Sequence, residues 1–245
     1  MVIVLSVPLD HLKDFTFQVG QMGNSLLSCS PPITGLDPSI VISPARLHLT
    51  LGVMALDDGP EVTSAQISNN NQGHQDSPGR KTVQEALSLL QQLKPDVQRF
   101  MNNKPLQLTL DELAVMRRSP EGEADVMYLG PSNILQKTEE HLNSVRLVQM
   151  IHERFRDAHF ITDRRPLKLH CTVVNTSQRR SGNRRGPRGV PFSIHEIEQA
   201  IAHAPGIVGD LLSSPPTLTV RELKICRMGS HDAEGRYVRV GGIEW

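Results

Sequence analysis

Aromatic residues make up only 4% of the chain, two Tyr, one Trp and six Phe, so a stacking platform like those of single-strand binders has little to be built from. Cysteine occurs three times, at Cys29, Cys171 and Cys226, with no CxxC or CxxH spacing. That excludes a disulfide framework and a zinc module, and it fits a reducing, intracellular compartment, nuclear or cytoplasmic. Formal net charge is zero, so the whole-molecule field favours neither nucleic acid nor membrane, and electrostatic recognition rests on local clusters. Long apolar runs are absent too. The apolar start, Met1 to Leu5, is broken by Ser6 and Pro8 and has no basic region before it, which is too short for a signal peptide or a membrane span.

What is present suffices for a sizeable core: 245 residues at 38% hydrophobic content make one monomeric domain, 1–245, or two intimately packed lobes. Met1 to Leu5 reads as a strand, and Asp10 as the cap of a helix carrying Leu12, Phe15, Val19 and Met22 on one face, ended by Gly23. A Pro, Ser and Gly-rich loop, Cys29 to Pro44, leads into an alternating strand from Arg46 to Met54. Residues 57–80 form a polar insertion, after which Thr82 and Glu85 have capping-box spacing for a helix that Pro95 disturbs. Leu106 to Val115 and Ala124 to Leu129 read as strands, and Ser132 as the start of a long helix with Leu135, Leu142, Val145, Val148, Ile151 and Phe155 inward. A second alternating strand spans Leu167 to Asn175; Ser193 and Glu196 then open a short helix before strands Thr217 to Met228 and Arg236 to Ile243. Strands and helices in this order, loosely repeated in two halves, indicate an α+β fold rather than a doubly wound parallel sheet.

Chemistry concentrates in two triplets, His48-Leu49-Thr50 and His170-Cys171-Thr172, the only H-x-T triplets in the sequence. Ten His and twelve Thr give about 0.5 such triplets by chance, so one alone is weak, and either taken singly is as readily a satisfied strand histidine beside a good strand former. Both lie in alternating strands, where period-two geometry puts each His and its Thr on one face and Leu47, Leu49, Leu51, Leu169, Cys171 and Val173 on the other, under helices. Two imidazoles flanking one phosphate can divide the proton transfers of phosphodiester cleavage, one neutral and accepting, the other charged and donating, while threonine hydroxyls hold the non-bridging oxygens. Alternation turns Cys171 away from this face, which favours a small buried hydrophobe over a nucleophile. His141 and His152 have no ligand partner at i+4, so neither metal nor cofactor is expected.

At these residues the sequence resembles the two-histidine phosphoesterase superfamily, which includes 2′,5′ RNA ligase-like (LigT-like) proteins, cyclic phosphodiesterases and a kinase-anchoring-protein phosphodiesterase domain. The phosphoesterase domain of a KH-containing subunit of the activating signal cointegrator complex is the most similar branch. "LHLTLGVMAL" from Leu47 and "KLHCTVVNT" from Lys168 carry the likeness, with weaker support from "KPLQL", "ADVMY" and "GRYVRVGGIEW". The resemblance implies a bilobal, pseudo-twofold fold with two antiparallel sheets lining a central cleft and helices outside. It also implies His48 and His170 as the acid–base pair and Thr50 and Thr172 as phosphate-oxygen ligands. Two departures stand out: no KH module precedes the domain, and Asn175 stands where many members carry Arg or Lys five residues after the second motif histidine.

No acidic residue occurs from Arg164 to His195, while eight basic ones do, so the second motif strand is bracketed by positive charge suited to an RNA or nucleotide phosphodiester. Arg179 and Arg180, in an Arg-rich loop at 177–191, are the substrate-contact candidates, against a solvated loop or a nuclear-import patch. Tyr128, Phe192 and Tyr237 are the residues able to stack a base, Tyr237 foremost, each equally readable as core packing. A metal-independent phosphodiesterase acting on a 2′,3′-cyclic phosphate or a 2′,5′ linkage is the favoured reading. A non-catalytic RNA-binding or adaptor subunit of a transcription or repair coactivator complex is the alternative.

Overall fold

The structure, a computed structural model, describes residues 1–58, 81–132, 138–179 and 190–245. Most of the polar insertion and of the Arg-rich loop, Arg180 included, therefore lies outside the described residues.

The elements run β1 (Val2–Pro8), α1 (Lys13–Leu27), β2 (His48–Ala55), α2 (Val83–Phe100), β3 (Leu106–Thr109), β4 (Glu112–Val115), β5 (Glu123–Ala124), β6 (Val126–Gly130) and α3 (Glu139–Asp157). They continue with β7 (Cys171–Asn175), β8 (Phe192–Ser193), α4 (Ile194–His203), α5 (Asp210–Ser213), β9 (Thr217–Val220), β10 (Glu222–His231) and β11 (Tyr237–Glu244). Seven strands share one antiparallel sheet in the order β11-β10-β1-β2-β7-β6-β4, and β3-β9 and β5-β8 form two small ladders. The α+β reading holds, and the two expected sheets are the halves β11-β10-β1-β2 and β7-β6-β4. They join at the one register pair between β2 and β7, Leu49 with Cys171. The motif strands are thus neighbours at a seam rather than facing walls.

A bulge follows each motif. Leu5 of β1 opposes Gly52 while Ser6 opposes Thr50, so Leu51 is the extra residue, and Leu51 and Gly52 both turn inward. In β7, Val174 opposes Met127 while Thr172 opposes Tyr128, so Val173 is extra, and Val173 and Val174 are both buried. Bulges bend and twist a strand. Two of them at the same distance beyond the seam end the β2–β7 pairing, and β7 takes up residues 40–42 instead, through Ile42 N–H to Val173 O at 2.9 Å and Asn175 N–H to Ile40 O at 2.8 Å.

Beneath the sheet Leu47, Leu49, Leu51, Leu169, Cys171 and Val173 are all buried, as alternation requires. Helix α3 is tied to the first motif strand by His152, which donates Nδ1–H to Leu51 O at 2.6 Å. Helix α2 passes so close to β11 that a Cβ on Gly241 would lie 2.5 Å from Leu87 Cδ2.

Several element boundaries differ from the sequence expectation. Asp10 does not cap α1, whose N-cap is Leu12 without a side-chain bond; Asp10 pairs instead with Lys224 at 3.8 Å. Gly23 lies inside α1, where a Cβ would meet Val41 Cγ1 at 3.0 Å, so its smallness serves packing rather than termination. Helix α2 has the Thr82–Glu85 capping box and continues through Pro95. The described part of α3 begins at Glu139 with Thr138 as cap, Leu135 lies outside the described residues, and Leu142 is exposed while His141 and Ser144 face inward. The stretch Leu106 to Val115 divides at Leu110 and Asp111 into strands of different sheets, and Thr217 to Met228 divides likewise at Arg221. Strict alternation would also bury Val53, which the bulge leaves exposed while Met54 packs in the core.

Candidate functional site

The antiparallel register at Leu49 and Cys171, extended one residue each way, sets His48 beside Thr172 and Thr50 beside His170. The four side chains occupy the corners of a square with the imidazoles on one diagonal. All four are half-buried, on the face away from α3. The square continues outward: Ser6 of β1 lies next to Thr50, Lys224 of β10 next to Ser6, and Tyr128 of β6 next to Thr172.

The two imidazoles are held alike. His48 donates Nδ1–H to the carbonyl of Arg46 at 2.8 Å, and His170 donates Nδ1–H to the carbonyl of Lys168 at 2.7 Å, in both cases two residues upstream. A carbonyl only accepts, so the proton of each neutral ring resides on Nδ1 and Nε2 is left as the acid–base atom. Thr50 Oγ1 lies 3.2 Å from His48 Nε2. The chain's two tyrosines serve the same purpose on the two sides: Tyr237 meets His48 edge-on at 5.5 Å and 89°, and Tyr128 meets His170 at 5.7 Å and 75°. Such T-shaped contacts restrict ring rotation.

Burial pushes the His48 pKa below the ordinary 6.5, and the charge of His170 pushes the same way, against its bond to the Arg46 carbonyl and the charge of Asp10. His170 is lowered too, by burial and by the ammonium of Lys168, which also sits 4.6 Å over the Tyr128 ring. The Coulomb effect of His170 on His48 makes it costly to charge both rings together, so the singly charged pair is the favoured form across its titration. Cys171 is fully buried with its thiol pushed up to about 12, which suits an inert core residue.

Beside His48 opens a cavity of about 320 Å³ bounded by Ser6, Arg46, Lys224, Cys226, Tyr237 and Arg239, among others. Tyr237 lines this cavity between the rings of His48 and His231, the latter at 5.2 Å. Arg179 has a different task. Its guanidinium pairs with Asp37 and donates to Gly35 O at 2.7 Å and Val190 O at 3.0 Å, clasping two loops, and it does not line the cavity beside His48. Phe192 is core, with no exposure, and Asn175 caps a turn by accepting from Ser177 N–H at 2.9 Å. Sequence reading missed Arg46 and the pairing of the tyrosines with the histidines. The signal for the first was in view: R-L-H-L-T and K-L-H-C-T carry a cation at the same offset before each histidine.

Two imidazoles anchored through Nδ1 on one face, each followed by a threonine on that face, are the arrangement expected of a two-histidine phosphoesterase. The chain belongs to the AKAP7 2′5′ RNA ligase-like domain family, whose model matches residues 4–244. Its fold is shared with the Thermus thermophilus protein TT0787, at 14% identity and a TM-score of 0.51 over 100% of this chain and 97% of that one. Escherichia coli LigT complexed with 3′-AMP aligns over 99% of this chain and 96% of its own at 14% identity, with a TM-score of 0.48. No helix among the described residues is long and apolar enough to cross a membrane.

Proposed function

We propose that the protein is a metal-independent phosphodiesterase that acts on RNA or oligonucleotides at a 2′,3′-cyclic phosphate or a 2′,5′ linkage. The observation that carries this reading is the matched pair of Nδ1–H bonds to the Arg46 and Lys168 carbonyls, which leaves two Nε2 atoms for one phosphate. One neutral imidazole takes the proton of the attacking water or ribose hydroxyl as the oxygen–phosphorus bond forms. The other, protonated, gives its proton to the departing ribose oxygen as the second bond breaks. Thr50 and Thr172 hydroxyls, on the other diagonal, donate to the equatorial oxygens where charge accumulates. Both linkages place a phosphodiester beside a ribose oxygen, which is what such a square accepts. Three free cysteines, two of them buried, support an intracellular setting.

Turnover of 2′,3′-cyclic nucleotides and 2′,5′-linked oligoadenylate in EDTA tests this. Wild type should cleave at least one of them, and His48→Ala and His170→Ala should each lose about 10³-fold or more in kcat, as expected when one of two proton-transfer groups is removed. RNA binding without turnover in wild type would instead favour the adaptor reading, a subunit of a complex of the activating signal cointegrator type.

A further inference from the structure

The cavity beside His48 is charged but nearly neutralised. Of the four basic side chains that border it, Lys224 pairs with Asp10 and Glu222, Arg236 with Asp232 and Glu234, and Arg239 with Glu222 and Glu244. Arg46 differs. It is half-buried, lines the same cavity, and among the described residues its guanidinium has no ion pair or hydrogen bond. Its main chain is fixed at both ends, by Arg46 N–H to Ser43 O at 2.8 Å and by its own carbonyl accepting from His48, so the side chain leaves from a rigid base. Its counterpart on the other side, Lys168, is exposed and lies over Tyr128, and the cavity does not extend to it.

An unpaired guanidinium in a partly desolvated pocket is a strong site for a planar or tetrahedral oxyanion, because the fork donates two parallel bonds and the carboxylates that line the cavity, Asp10 and Asp232, are engaged by Lys224 and Arg236. A volume of about 320 Å³ is at the small end of ligand pockets, room for one nucleoside-sized group. The pocket starts at His48, so what enters it is joined to the phosphate being cleaved. We propose that this cavity holds the nucleoside on the His48 side of the scissile phosphate and that Arg46 binds a second phosphate carried by that nucleoside, so that the enzyme prefers substrates with a flanking phosphate over bare cyclic or dinucleoside ones. This rests on the phosphodiesterase reading above and adds the substrate feature that the site selects.

Two arms test it separately from that reading. In the first, calorimetry measures binding of adenosine 2′-phosphate and adenosine 2′,5′-bisphosphate to wild type, Arg46→Ala and Arg46→Lys, and needs no turnover. Wild type should bind the bisphosphate about tenfold more tightly or better, the increment expected of one charge-assisted contact. The preference should fall to near unity in Arg46→Ala and be partly kept in Arg46→Lys. Arg236→Ala, which removes a paired cation from the same wall, should keep it. Equal binding of the two ligands by wild type, or an undiminished preference in Arg46→Ala, would overturn the proposal. In the second arm, kcat/KM is compared for 2′,5′-diadenylate with and without a 5′-phosphate, and the same ratio should appear and collapse with Arg46. A preference seen in binding but no cleavage of either substrate would uphold the anion subsite while overturning the hydrolase reading.

Discussion

Leu49 and Cys171 oppose each other across the seam of the sheet, and through that one pair the two H-x-T motifs come to share a face. Both side chains are fully buried below it, so the contact that aligns the four polar residues above is apolar. The seam needs volume at residue 171, not a thiol. Cys171→Ala should therefore keep kcat within about twofold while lowering unfolding free energy by about 1 kcal/mol, the range for removing one buried heavy atom. Activity assays and urea denaturation read the two effects. A loss of activity much larger than the loss of stability would make the sulfur part of the chemistry.

The acid–base pair sets the pH dependence. Both imidazoles titrate below 6.5, and turnover requires one charged and one neutral, so kcat/KM should follow a bell whose maximum lies on the acid side of 6.5. A bound phosphate dianion or diester favours the charged rings, so the kcat profile should sit at higher pH than the kcat/KM profile. Lys168→Met removes a charge that lowers His170 and should move one limb of the kcat/KM bell upward while leaving the other in place. Both limbs staying put in Lys168→Met would mean that His170 is not one of the titrating groups.

Folding lowers both imidazole pKa values, so the unfolded chain binds more protons once pH drops below about 6.5. Stability present above that pH should be lost as pH falls through the folded-state values. His48→Gln, which removes one titrating ring, should lose less stability between pH 7 and pH 5 than wild type. Thermal melts at the two pH values measure the difference; parallel losses in both proteins would refute the linkage.

Much of this site was legible in the sequence because period-two alternation is a local property. Leu49 and Cys171 between a His and a Thr are enough to place each pair on one face. The relation between the two strands was not legible, since Leu49 against Cys171 is a contact across 122 positions that nothing local encodes. The bulges were hidden for a related reason: an inserted residue breaks the alternation, and only Gly52, an isolated glycine in a strand, marked one of them. The internal pairing of Arg179 was not legible either, because charge clustering in sequence says nothing of a carboxylate such as Asp37 lying 142 positions away. Asp10 failed as a cap for the same cause, its partner Lys224 coming from the other end of the chain.

The threonines separate positioning from oxyanion binding. Thr50 Oγ1 reaches His48 Nε2 at 3.2 Å, whereas among the described residues Thr172 makes no such bond to an imidazole. If both hydroxyls donate to phosphate oxygens in the transition state, Thr50→Val and Thr172→Val should each reduce kcat by about 10²-fold with a much smaller change in KM, the pattern of donors whose bonds strengthen with developing charge. Thr50→Val should in addition shift the limb of the pH profile that belongs to His48, and Thr172→Val should not. Threonine to serine at either position should restore most of the rate.

Gly52 offers a test of the bulge itself. A Cβ at this position would lie 2.1 Å from Ile161 Cδ1 and 2.6 Å from Ile161 Cγ1, so an alanine fits only if Ile161 leaves its rotamer or the strand moves. Ile161 is itself buried in the hydrophobic core, so it moves only against other core side chains. Gly52→Ala should then cost about 1–3 kcal/mol, the usual penalty for overpacking a core. Because Gly52 follows Thr50 by two residues and the strand bends between them, the strain should reach the site as well, lowering kcat more than it raises KM. Pairing Gly52→Ala with Ile161→Val trims the atom in the way and should recover a large part of both losses. If the double variant is no better than Gly52→Ala alone, the crowding against Ile161 is not what makes glycine necessary there, and the bulge must depend on the backbone freedom of residue 52.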